Sequence, residues 1–331
     1  MTDKIIQRIN KLLIESGYQT FVFDSESQRA LFCFDLIVKK DDLVFIVKIF
    51  SNIDNIDNEM IEGLKTLSSL LKSKPLLIGK KNRYQTLEKN TIYIRNGLPF
   101  ITIETLENII QQDLYPYILA RRGGNVIFLD GELMRALREK KKISRKELSE
   151  KLGVARRTVC SYESGNMRPS QEMAERISNI LGSESLFRNI NVFEWHFDVN
   201  FQEIDTELDL TPFQEHLKDV IEDIGIRGFF YRHGYMPFDL SLISKSQKTE
   251  PFEGIYPVLS GISEEIKRIT IKKLQSLCNF TQLFHRKGLF IVENDFKLPD
   301  NLDSQNIPFV KIKILEKIDD ETEFINFIKE K

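Results

Sequence analysis

The spacing of apolar residues changes period several times along the chain. Residues 3–15 place Ile5, Ile6, Ile9, Leu12 and Leu13 at helical intervals, and Gly17 closes the run. β-rich segments follow at Thr20–Phe23, Leu31–Val38 and Leu43–Phe50. Asp41-Asp42 lies between the last two and predicts a hairpin. Helical spacing returns over 59–73 (EMIEGLKTLSSLLKS). Short strands are then expected at Leu76–Ile78, Thr91–Ile94 and Phe100–Ile103, with a closing helix at Glu104–Gln111. This alternation predicts a mixed α/β domain over residues 1–120.

The C-terminal part runs through the same order. IQRINKLLIESG (6–17) compares with FQEHLKDVIEDIG (213–225), and Phe34-Asp35-Leu36 with Phe238-Asp239-Leu240. Leu98-Pro99-Phe100-Ile101 compares with Ile307-Pro308-Phe309-Val310, and TIETLENII (102–110) with KIKILEKID (311–319). Matched order at nearly matched spacing predicts a diverged duplication over 186–331, preceded by a linker. The competing explanation is the helix–glycine–strand grammar that any two α/β domains share.

Between the copies, RRGG (121–124) reads as a hinge-like break, Asn125–Leu129 as a short strand and 131–181 as consecutive short helices. Residues 121–185 therefore form a separate all-α block. Residues 183–209 connect onward and hold the only tryptophan, Trp195, in an alternating stretch (NVFEWHFDVN) that is a candidate strand.

Composition narrows the function classes. A chain of 331 residues with 41% hydrophobic residues is too long for one domain and too apolar for wholesale disorder. The formal net charge of −2 means that any basic surface is local. Cys33, Cys160 and Cys278 are far apart with no CxxC pair, which argues against a zinc ribbon or disulfide framework and for a reducing cytoplasm. Charges interrupt the apolar residues of the N-terminus, which excludes a signal peptide, and no apolar run is long enough for a membrane span.

The central block carries the chemistry. Ser144 with Glu147 forms a capping-box pattern that starts a helix through Leu148 and Leu152, and Gly153 ends it. Ala155–Glu163 is the next helix, with Val159 and Tyr162 facing inward, and Gly165 ends that one. Two short helices across a tight glycine turn describe a helix-turn-helix. Arg156 and Arg157 stand at the end of the second helix that enters the major groove in this geometry. Guanidinium groups there can bond guanine edges or clamp phosphate. Ser161 is a further candidate base contact. Ser144, Arg145, Lys146, Thr158 and Arg168 are candidate phosphate contacts. Residues 131–170 hold eleven Lys/Arg against five Glu, a local excess that suits double-stranded DNA. A protein-binding helical module with a solvated basic face is the competing reading.

SRKELSEKLGVARRTVCSYESG resembles the Xre/Cro-type repressor helix-turn-helix, whose usual form is T-Q-x-E-L-A-x-x-x-G-V-S-x-x-T-I-S-x-W-E-x-G. Ser144, Glu147, Leu148, Gly153, Val154, Thr158, Val159, Tyr162, Glu163 and Gly165 fit it. Arg145 replaces the usual glutamine, and Ala155 replaces the usual capping serine. The whole chain, with RRGG ahead of the motif and an α/β domain on each side, resembles a family of archaeal helix-turn-helix-type transcriptional regulators. The resemblance implies that Arg138 and Glu163 are a structural pair.

The flanking domains resemble the restriction-endonuclease-like fold, in which an aspartate and a Glu-x-Lys hold Mg²⁺. Here Asp35 and Lys48 are present, but the residue two before Lys48 is Ile46. In the second copy Asp239 is followed by Lys245 and Lys248, with Glu253 the nearest carboxylate. The expected architecture is a central Cro/repressor-like helix bundle flanked by two related mixed α/β domains, restriction-endonuclease-like and inactive. Neither the four histidines nor any GxGxxG, Walker, GxSxG or HExxH pattern supports another chemistry.

The expected function is a cytoplasmic, sequence-specific DNA-binding transcription regulator. It is read as not an enzyme, with no cofactor and no metal. Its expected partners are double-stranded DNA, a second copy of the chain and the transcription machinery, with no membrane. A Mg²⁺-dependent DNA nuclease and a protein-interaction adaptor are the alternatives.

Overall fold

The computed structural model describes residues 2–22, 32–41, 43–121, 123–195, 209–231, 236–245, 255–263, 271–295 and 307–331. Asp42, Arg122, His196, His233, Lys248 and Glu253, which the sequence reading touches, lie outside the described residues. The chain divides into two compact units.

The first unit is built on an eight-stranded sheet. Its elements are α1 (Thr2–Glu15), β1 (Gln19–Val22), β2 (Leu36–Lys40) and β3 (Leu43–Asn52), with α2 (Asn58–Leu70) grouped elsewhere. Then come β4 (Lys74–Lys81), β5 (Thr91–Arg95), β6 (Leu98–Ile101), α3 (Ile103–Gln112), β7 (Ile118–Ala120) and β8 (Val126–Ile127). The strand order is β1-β2-β3-β4-β6-β5-β7-β8. β2 and β3 form the expected hairpin, with Lys40 opposite Leu43 and Asp41 at φ 52 in the turn. The expected strand at Leu31–Val38 begins only at Leu36.

Packing holds α1 in place. Ile6, Ile9, Leu12 and Leu13 are all buried in one cluster with Leu36, Val38, Val47 and Leu76. Burying four such side chains contributes roughly 6–12 kcal/mol, against tenths of a kcal/mol per residue from helix propensity.

Two expectations fail here. RRGG is not a hinge: β7 and β8 pair antiparallel, Ile118 with Ile127 and Leu119 with Val126, and the described residues of RRGG lie at the tip of that hairpin. The alternating stretch at Trp195 is no strand as far as it is described. Val192–Glu194 is a 3-10 turn, Val192 is buried in the first sheet's core, and Phe193 lies 4.7 Å from the Phe45 ring. Packing against the sheet surface overrides the two-residue period.

Four helices complete this unit: α4 (Gly131–Lys140), α5 (Arg145–Leu152), α6 (Arg156–Glu163) and α7 (Gln171–Leu181). Their core holds Met134, Leu148, Leu152, Val159, Tyr162, Ile177, Leu181 and Leu186.

The second unit contains α8 (Pro212–Asp223), β9 (Ile226–Phe230), β10 (Leu240–Ser244), β11 (Val258–Ser263), α9 (Ile271–Leu283), β12 (Gly288–Val292), β13 (Phe309–Lys311), α10 (Ile312–Leu315) and α11 (Glu321–Glu330). Its sheet runs β13-β12-β11-β10-β9. β9, β10 and β11 are antiparallel neighbours, while β11, β12 and β13 are parallel. Residues 32–35 and 58–73 group with this unit and not with the first sheet. The contacts are aromatic: Phe280 lies 6.2 Å from Phe34 and 5.6 Å from Phe238, and Cys33 packs against Gly63.

Candidate nucleic-acid interface

Local capping sets the geometry of the helical block. Asp130 caps α4 by accepting from the Leu133 N–H at 2.9 Å, and Ser144 caps α5 by accepting from the Glu147 N–H at 3.1 Å. The Glu147 carboxylate pairs with Lys151 at 3.2 Å, so the serine's half of the capping-box pattern is made while the glutamate is occupied elsewhere. Gly153 sits at φ 70, a left-handed conformation that costs a residue with a Cβ. The Val154 N–H bonds the Ser149 carbonyl at 3.0 Å and turns the chain into α6. Ala155 holds the extended cap conformation with no side-chain bond, so the first N–H groups of α6 lack a side-chain acceptor at the cap.

A buried charge cluster pins α6 to its neighbours. The Arg138 Nε donates to Glu163 Oε1 at 2.6 Å, and the Arg145 Nε donates to Glu163 Oε2 at 2.7 Å. The Glu163 and Arg138 side chains are 3% and 8% exposed, while Arg145 is 33% exposed. Burial acts to raise the Glu163 pKa, but the hydrogen bonds and charges of the two arginines outweigh it and hold the carboxyl below its ordinary value. Gly131 permits the close approach of α4: a Cβ there would meet the Glu163 carbonyl oxygen at 2.2 Å. Composition and spacing give no sign of that requirement.

The outward side of α6 is different. Val159 and Tyr162 are buried, while Arg156, Arg157 and Cys160 are exposed. Among the described residues neither Arg156 nor Arg157 has a carboxylate within ion-pair distance. Ser161 stands one turn beyond Arg157 and is half-buried, as is Thr158. Lys146 is exposed and reaches Glu150 at only 4.0 Å. Arg145 is partly committed, because its Nε is held by Glu163. Arg168 lies on the loop after α6, with its guanidinium carbon over the Phe128 ring at 4.0 Å from the centroid.

The block is fastened to the first sheet. Val126 bridges Ser170, and Leu129 bridges Phe187. Ile127 N–H donates to Pro169, Asp130 N–H to Leu186 and Arg188 N–H to Phe128. Tyr117 and Phe187 stack at 5.2 Å.

Residues 134–187 match a family model described as Helix-turn-helix, and residues 2–116 match one described as a PD-(D/E)XK superfamily domain. Three relatives are each named "Putative HTH-type transcriptional regulatory protein". One from Methanococcus maripaludis is 30% identical and covers 100% of this chain and 98% of its own. One from Methanobrevibacter smithii is 28% identical over 99% and 97%, and one from Thermococcus kodakarensis is 28% identical over 98% and 95%. The chain belongs to this family. No solved structure matches.

The superfamily matched over residues 2–116 implies a divalent metal, and the described residues there do not fit one. Asp35 and Lys48 are buried, at 4% and 6% exposure. Ile46, which shares a face of β3 with Lys48, is fully buried and offers no oxygen. Among the described residues no group of three His, Cys, Asp or Glu could hold a metal ion. In the second unit Asp239 Oδ2 accepts from the Ile262 N–H at 2.9 Å. Gly261 follows the β11 residue that pairs with Leu240, as Lys48 follows the β3 residue that pairs with Leu36. A Cβ at Gly261 would meet the Phe290 ring at 2.3 Å, so that ring fills the space. Lys245 donates instead to the Glu222 carbonyl at 2.8 Å. Among the described residues no helix is long and apolar enough to cross a membrane.

Proposed function

We propose that this chain is a cytoplasmic, sequence-specific DNA-binding transcription regulator that reads the major groove with α6. The observation that carries the reading is the pair Arg156 and Arg157, exposed and without a carboxylate partner among the described residues, at the end of a helix pinned from behind by Glu163. Two such charges repel in water and gain partners when guanine edges or phosphates are supplied. Ser161 extends the base-facing row by one turn. Ser144, Lys146, Thr158, Arg168 and the N–H groups that Glu163 leaves free on Arg145 hold backbone phosphates. The relatives' name and the helix-turn-helix match support the regulatory role.

A single module of this kind buries roughly 600–1,000 Å² on DNA, so a homodimer spanning two half-sites is the working unit. The α/β sheets set its geometry or receive a signal passed to the transcription machinery. They are a duplicated nuclease scaffold without catalysis. The superfamily match over 2–116 supports the scaffold, and Ile46 at the carboxylate position argues against the chemistry. The second reading, a Mg²⁺-dependent nuclease, rests on that same match.

The test is selection from a random duplex pool with the full chain. One enriched motif, present as two spaced half-sites, is expected. An unenriched pool overturns specific reading, and a monomer by light scattering overturns the homodimer. Mg²⁺-dependent plasmid nicking that disappears in Asp35→Ala overturns the non-catalytic reading.

A further inference from the structure

The β7–β8 hairpin carries a second cationic feature that lies outside the helix-turn-helix. Gly123 and Gly124 at its tip hold φ +93 and +129, conformations that residues with a Cβ rarely adopt, and the Gly124 N–H closes on the Arg121 carbonyl at 3.3 Å. The returning strand is bonded to the loop that leaves α6. Ile127 N–H donates to Pro169 at 3.1 Å, Val126 bridges Ser170, and the Gln171 N–H donates to Asn125 at 3.1 Å. The tip is therefore held beside Arg168, the residue just before those contacts.

Arg121 and Arg168 are both exposed, and among the described residues neither has a carboxylate within ion-pair distance. They share this with Arg156 and Arg157 of α6, whereas Arg135, Arg138, Arg145, Lys146 and Lys151 each pair with a glutamate. Arg168 lies over the Phe128 ring, a contact that restricts its freedom. Its pKa falls below the ordinary arginine value, chiefly because the guanidinium is partly desolvated and further because Arg121's positive charge is near. Two guanidinium groups brought together with no counter-ion are unfavourable in the free protein. An anion between them reverses that sign, and a pre-oriented guanidinium loses little freedom in binding it.

The position says which anion. α6 has eight residues and runs about 12 Å along its axis, close to the width of the major groove at roughly 12 Å. With the Arg156 end among the bases, the loop after the other end meets the rim of the groove, where the phosphates run. We propose that the hairpin tip is a second DNA-contacting element, in which Arg121 and Arg168 together clamp a backbone phosphate flanking the bases faced by α6. This rests on the reading that α6 binds duplex DNA.

The test uses the full chain and a duplex carrying the selected motif, with a scrambled duplex beside it, titrated by fluorescence anisotropy across salt concentrations. Arg121→Ala should weaken binding to both duplexes by the same factor. The slope of log K against log salt should become shallower by about 1. Arg168→Ala should do the same, and Arg121→Lys should retain most of the slope. Hydroxyl-radical footprinting of Arg121→Ala should lose protection at a sugar outside the base contacts. An unchanged slope in Arg121→Ala, on a duplex where Arg156→Ala binds weakly, overturns the clamp and leaves the α6 reading standing. A loss confined to the selected duplex also overturns it, because that is base reading. If the wild-type chain shows no salt-dependent duplex binding, the α6 reading fails and the clamp fails with it.

Discussion

Replacing Glu163 by alanine should destabilise the first unit by about 3 kcal/mol. The side chain is nearly fully enclosed and receives both Arg138 and Arg145. Removing one partner of a buried ion pair costs roughly 3–5 kcal/mol, because the other charge is left in a poor solvent. Arg138 would keep the Ile143 carbonyl at 3.0 Å and Glu139 at 3.4 Å, which places the cost at the lower end. Arg145→Ala should cost much less than Glu163→Ala, since that side chain is one-third exposed and Glu163 keeps its buried partner. The carboxyl's lowered pKa adds a pH signature. Its contribution is complete above the ordinary glutamate value of the unfolded chain and drains away as pH falls through the lower folded-state value. Wild-type stability should therefore fall on acidification in a way that Glu163→Gln does not reproduce. Urea unfolding followed by circular dichroism and Trp195 fluorescence, repeated between pH 7 and pH 3, measures both effects. A Glu163→Ala loss under 1 kcal/mol, or identical pH profiles for wild type and Glu163→Gln, would refute the account of this cluster.

Three further outcomes follow from the packing. Ala155→Ser should stabilise the unit by about 1 kcal/mol, because residue 155 already holds the cap conformation and lacks only the acceptor; urea unfolding reads it. Gly131→Ala should cost at least about 1–3 kcal/mol, since its methyl would be driven into the backbone carbonyl of Glu163. In the second unit Phe290→Ala should cost roughly 3–5 kcal/mol. There Gly261→Ala should unfold the unit more easily than wild type, and the double variant Gly261→Ala/Phe290→Leu should recover part of that loss, as thermal melts would record.

What the sequence revealed was mostly local. The cap at Ser144, the left-handed turn at Gly153 and the buried pair Val159 and Tyr162 all lie within a few residues of what they touch. Periodicity and turn chemistry therefore locate the helix-turn-helix to within a residue. The strands were legible for the same reason, since β2 and β3 share a tight turn at Asp41. What stayed hidden depends on distant partners. Val192 ends its alternating stretch by dropping into a core formed by residues 6–119. Gly261 and Phe290 complement each other across two strands, and neither is informative alone. The grouping of Phe34 with Phe280 crosses the length of the chain. RRGG looked like a break because glycine pairs usually mark one; the bonds from Asn125–Ile127 to Pro169–Gln171 make its strand part of the support for α6.

The affinity of Arg156→Ala and Arg157→Ala for the selected duplex, and for single-base variants of it, tests most directly whether α6 reads DNA. Each substitution should cost roughly 1–3 kcal/mol on the selected duplex, and at one base pair the difference between right and wrong base should shrink. Equal affinity of wild type and both variants for every duplex, in chains that unfold like wild type, would contradict the claim that α6 reads DNA.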